Sequence, residues 1–140
     1  MGMGSVLFTT LVSIHVAANF VWIGSILSVA LALRADEARA GGQIAYELYR
    51  KLATPAFVVS FIAALIRLMT DLQLYFVQYK YMHGKLLCAL IVIGLHHVIG
   101  ARAKAVSAGR RSSPGPVGVM ALLLLIAAIA ATLLVLFKPF

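Results

Sequence analysis

Four long apolar runs separated by short polar gaps make up the chain. Ser5 to Leu33 carries no charge, and as a helix it would extend about 43 Å, beyond the roughly 30 Å hydrocarbon core of a bilayer. A second run begins at Leu52 and meets Arg67 before it is long enough to cross, so it must carry that arginine near its far end, where a long side chain can snorkel. The third is Tyr81 to Arg102 and the fourth Val117 to Phe137, the latter apolar on all sides except for Thr132. The pattern predicts an all-α, integral membrane four-helix bundle with spans over about 5–33, 52–70, 81–102 and 117–137.

The gaps have their own signals. Arg34 to Lys51 reads as a charged connection interrupted at Gly41-Gly42, followed by a short interfacial helix whose Ile44, Leu48 and Leu52 repeat every fourth residue. Tyr46 and Tyr49 suit a headgroup level, and Pro55 is expected in the first turns of span two. Thr70 to Lys80 mixes Asp71 with Tyr75, Phe76 and Tyr79, which gives an interfacial turn or an extension of span three. Arg110 to Pro116 is a basic loop that no helix would continue through.

Composition narrows the class. Of 140 residues, 63% are hydrophobic and 11% charged, with a mean hydropathy of +1.02. A water-facing domain needs about a quarter of its residues charged, so the lipid bilayer is the main partner and residues 1–140 form one membrane domain. Twelve Lys and Arg against four Asp and Glu give a net charge of +8. These bases sit between apolar runs, the placement of topology signals, so no nucleic-acid partner is expected. Arg34, Arg39, Arg50 and Lys51 lie in the first gap and Arg102, Lys104, Arg110 and Arg111 in the third. Against them stand Arg67, Lys80 and Lys138. The positive-inside rule then places both termini on the non-cytoplasmic side of a bacterial-type inner membrane. The absence of Lys or Arg before Arg34 predicts that the first helix is retained rather than cleaved as a signal. The lone Cys88 permits no internal disulfide.

Candidate chemistry lies in two spans. His15, Asn19 and Trp22 share one face of span one at i, i+4 and i+7. Three of the four histidines, His83, His96 and His97, fall in span three, where Lys85 and His96 are nearly eclipsed, about 20° apart around a helix. An ionisable group in an apolar span marks a functional site by default. No HxxxH pair is present, so any metal would be shared between helices. Lys85 can attract an anion or, as a desolvated neutral amine, ligate iron. Arg67 and Asp71 end span two on the same outer side, and Arg67 rims a site between His15 and the start of span three. His96 lies deeper, and His97 is expected at the headgroups. Span one holds no carboxylate, which excludes a small proton-coupled multidrug exporter.

The combination of His15 seven residues before Trp22, RKLATPA at Arg50 to Ala56, HGKLL at His83 to Leu87 and His96 thirteen after His83 resembles the HemJ-type protoporphyrinogen IX oxidases. These belong with the CopD-like four-helix membrane proteins, and WIGS at Trp22 to Ser25 is closer to the CopD branch. The resemblance runs from about Val12 to Arg102. It implies a b-type haem held by His15 and Lys85, with His83, His96, Arg67, Trp22 and Asn19 around it. It also implies oxidation of a porphyrinogen substrate, with electrons passed to quinone or the respiratory chain. SVALALRADE at the end of span one lacks the family's proline. A non-enzymatic haem or electron-transfer subunit and a CopD-like copper-handling protein share the same four helices. Gly24 and Ser28, four apart, permit close helix contact within the chain or in a homo-oligomer.

Overall fold

A computed structural model describes residues 3–34, 38–70 and 72–138, with the side chains of Met3, Ala38 and Arg39 left aside. Asp71, expected beside Arg67, and the Arg39 side chain of the charge count lie outside that description. The described chain is helical throughout apart from its turns. Helix α1 spans Met3–Ala32, α2 Ala38–Leu48, α3 Thr54–Thr70, α4 Tyr81–Ser107 and α5 Val117–Phe137. Four stretches are long and apolar enough to cross a membrane: Gly4–Ala32, Ala40–Thr70, Tyr81–Ser107 and Val117–Phe137. The chain is an all-α bundle of membrane-spanning type, running up and down in succession.

The second span departs from expectation. Gly41-Gly42 does not interrupt it, and Gly42 serves packing: a Cβ there would stand 2.7 Å from Val106 Cγ1 and 3.0 Å from the Ser107 nitrogen on α4. Pro55 stands in the first turn of α3, as expected, but no break precedes it. It has no N–H to give, and in a regular helix its ring would strike the carbonyl four residues back. The backbone instead opens into one wide turn over Tyr49–Ala53, where the Thr54 N–H reaches the Tyr49 carbonyl, and α2 passes into α3 without a break. The combined helix exceeds the hydrocarbon thickness. Its exposed cluster of Glu47 with Arg50 (3.2 Å) and Lys51 marks where it leaves the apolar zone.

The Thr70 to Lys80 segment is also mostly helical. It contains a second wide turn, Leu74–Gln78, closed by Tyr79 N–H to the Leu74 carbonyl at 3.0 Å. Tyr79 then leaves helical geometry, so this turn is separate from α4. Beyond α4, Gly109 takes a positive φ of 67°, and the Arg110 N–H bonds back to the Ala105 carbonyl at 2.9 Å, capping the helix.

Packing is uneven along the bundle axis. At the end bearing the basic gaps, here the basic half, Ile26 and Val29 of α1, Ile99 of α4 and Val117 and Leu124 of α5 are fully buried in one continuous core. Toward the chain termini, the terminal half, α4 has no buried residue between Met82 and Val92, and α5 has none after Ala127. A small separate cluster of Tyr75, Tyr81 and Met82 closes that end. Gly24 and Ser28 are exposed, and a Cβ on Gly24 would meet nothing within 4 Å. Their stripe therefore faces outward and not into the bundle.

Candidate functional site

In the terminal half, α1 and α3 meet through a closed polar ring. His15 and Asn19, one turn apart on α1, face Ser60, which is buried on α3. His15 Nδ1 lies 2.9 Å from the Ser60 carbonyl and 3.0 Å from its Oγ. A carbonyl only accepts, so Nδ1 carries the proton. Ser60 Oγ donates to Asn19 Oδ1 at 2.6 Å, and Asn19 Nδ2 donates to His15 Nε2 at 3.1 Å. Every donor in the ring finds an acceptor. The lone pair of His15 is thereby fixed on Nε2, the geometry of a metal-ligating histidine whose other nitrogen is held by a backbone carbonyl.

Two cations accompany this ring. His15 lies within electrostatic reach of Lys85 and Arg67, and Lys85 within that of Arg67. Lys85 is partly buried on α4 and, among the described residues, has no hydrogen-bond or ion-pair partner. Arg67 does not simply extend outward. Its Nε donates to the Tyr75 hydroxyl at 3.2 Å, and its guanidinium lies over the Phe8 ring at 4.3 Å. The one acidic side chain described, Glu47, is engaged with Arg50 and Lys51 at the other end. Three nitrogenous groups thus gather in an apolar setting without a carboxylate among the described residues.

His83 does not join them. It is exposed, its Nδ1 3.2 Å from the Lys80 carbonyl and its ring against the edge of Phe76. The pairing of His83 with Lys85, two residues apart, fails because such positions diverge around a helix.

His96 occupies a different environment in the basic half. It is fully buried. Tyr49 and Phe57 lie 4.8 and 5.0 Å from its ring centroid, and Trp22 and His97 approach edge-on. Trp22 Nε1 donates to His96 Nδ1 at 3.0 Å. Because an indole N–H can only donate, Nδ1 holds the lone pair and the neutral ring carries its proton on Nε2. That Nε2 is buried and, among the described residues, has no hydrogen-bond partner. A metal at Nε2 would require displacing this proton, so His96 is set up as a donor and not a ligand. His97 is exposed on α4, its ring edge-on to Phe57.

The sequence pattern assigns no site role to Ser60, Tyr75, Tyr49 or Phe57. Ser60 had a signal, being the one hydroxyl inside the apolar stretch between Pro55 and Arg67. Tyr49 had none. It was expected at the headgroups, but the wide turn lays its ring on Gly100, where a Cβ would stand 2.0 Å from the Tyr49 Cζ.

No protein family, curated protein or solved structure matches this chain.

Proposed function

We propose that this chain binds b-type haem in the terminal half of the bundle and acts as a HemJ-like protoporphyrinogen IX oxidase of a bacterial-type inner membrane. Both termini are then non-cytoplasmic, and electrons leave to quinone or the respiratory chain. The observation that carries this reading is the locked tautomer of His15, whose Nε2 lone pair shares a weakly packed half of the bundle with the Lys85 amine, which has no hydrogen-bond or ion-pair partner among the described residues.

The donor set fits haem. Among the described residues no three His, Cys, Asp or Glu side chains gather as a bare ion would need. Haem iron takes four nitrogens from its macrocycle and asks the protein for only one or two. This favours haem over copper handling. His15 would supply one ligand once the Asn19 amide turns aside from Nε2, and Lys85 a second or an ion pair to a propionate. Arg67 would attract the carboxylates of a porphyrin side chain, its orientation fixed by Tyr75 and Phe8. Bound haem would supply one-electron redox chemistry at this position. The chain itself contributes ligation, two cations for anionic substituents and apolar walls that exclude water. Conversion of the porphyrinogen to the porphyrin releases six electrons and six protons, and the electrons require the membrane acceptor named above.

Absorbance of the purified protein tests the cofactor: a Soret band with reducible α and β bands is expected, whereas bound copper without such bands would overturn the haem reading. Rescue of porphyrin synthesis in a strain lacking its own oxidase tests the activity. Failure by a well-expressed, haem-loaded protein would leave a non-enzymatic haem or electron-transfer subunit.

A further inference from the structure

The second basic gap is built differently from a simple charged loop. The helix cap at Gly109 turns the chain back, and the Arg110 N–H to Ala105 carbonyl bond brings Arg110 and Arg111 alongside the last turns of α4. Arg102 comes from the helix itself. Its Nη1 donates to the Pro114 carbonyl at 2.9 Å, and it arches over Gly115, where a Cβ would stand 2.3 Å from that nitrogen. The three arginines, with Val98, Ala101 and Ala105, line an open pocket of about 500 Å³. No carboxylate among the described residues faces it.

The apolar wall of this pocket continues up the helix. Leu87, Ile91, Val98 and Ala101 are exposed on α4, and Gly94 between them has open space where a side chain would stand. With Ala105, their spacing alternates four and three, so they form one lane on a single helix face. From Leu87 to Val98 this lane is about 16 Å long, enough for most of an acyl chain. A free phosphate would use the arginines and leave the lane without purpose. An acyl chain in the lane carries a headgroup to the arginines at the membrane surface.

We propose that this pocket and lane form a binding site for an anionic phospholipid, its phosphate on Arg102, Arg110 and Arg111 and one acyl chain along Leu87 to Ala105. Charge without a counter-ion selects the anionic headgroup, and the fixed Arg102 sets its position. The site stands apart from the haem reading and does not depend on it.

Delipidated full-length protein in a neutral detergent, titrated with dioleoyl phosphatidylglycerol or dioleoyl phosphatidylcholine and followed by native mass spectrometry, tests this. Preferential retention of phosphatidylglycerol is expected. Arg110→Gln and Arg111→Gln, on an exposed loop outside the core, should each reduce that preference about fivefold. Gly94→Phe, which fills the lane without touching the arginines, should weaken both lipids and leave the preference intact. Equal retention of the two lipids would overturn the proposal. Competition by inorganic phosphate or glycerol 1-phosphate as effective as added phosphatidylglycerol would overturn it in favour of a free anion.

Discussion

Each half of the bundle holds a histidine against a neighbouring helix, His96 of α4 against α1 and His15 of α1 against α3, and the two are protonated on opposite nitrogens. In the basic half, Trp22 donates to His96 Nδ1 within a continuous core that leaves the ring fully enclosed. In the terminal half, the Ser60 carbonyl accepts from His15 Nδ1 within a ring of polar groups where α4 and α5 bury little. The imidazole is the same, and its partner decides its chemistry. A donor-only neighbour turns the ring into a hydrogen-bond donor at Nε2, while an acceptor-only neighbour leaves the lone pair on Nε2, where the Asn19 amide donates to it. The tight half holds the helices together, and the loose half buries few side chains of α4 and α5.

The largest expected effect is on haem. His15→Ala should reduce haem occupancy by more than about tenfold while the four helices persist, read from the ratio of Soret to protein absorbance. His96→Ala, by the same measurement, should leave the occupancy of folded protein unchanged, and loss of haem from both variants alike would erase the distinction between the halves. Gly100→Val drives a side chain into the Tyr49 ring. It should lower stability by about 1–3 kcal/mol, measured by thermal unfolding in detergent, through the basic half alone.

Two subtler variants act on the histidine partners. Trp22→Phe removes the donor to His96 and should cost about 1–3 kcal/mol. It also releases the ring, so nitrogen NMR of labelled histidine should show His96 changing tautomer while His15 does not. Asn19→Ala lifts the amide from His15 Nε2. Removing one competing hydrogen bond, worth about 1 kcal/mol net, should tighten haem binding about fivefold, opposite in sign to His15→Ala. A weaker affinity would mean that Asn19 supports the ligand rather than covers it.

Much of this was legible in the sequence. The fourth span emerges at Val117–Phe137 with the bounds its apolar run predicts, because nothing polar competes there. The His15, Asn19 and Trp22 face is real, yet it divides: His15 and Asn19 turn to α3 and Trp22 to α4. Helical periodicity assigns residues to a face but not to one of two neighbouring helices within it. The near-eclipse of Lys85 and His96 likewise says nothing about depth, and depth separates them into different halves. Gly41-Gly42 was misread because a paired glycine signals a break or a close approach with equal force, and only the position of Val106 decides. The proposed haem and oxidase chemistry rest on the resemblance together with the His15 geometry.

The wide turn at Tyr49–Ala53 has a consequence for deletions as well as shape. It adds one residue to a helix whose first part lies on α4 through Gly42 and whose second lies on α1 through Ser60. Wound as ordinary α-helix, the same residues would carry everything downstream about 100° further round. Ser60 would then leave His15, and the imidazole would lose the partner that sets its proton. The wide turn absorbs the extra residue, so deleting one residue within Tyr49–Ala53 should restore regular winding and keep Ser60 on His15, whereas a deletion in the regular helix between Pro55 and Ser60 should turn it away.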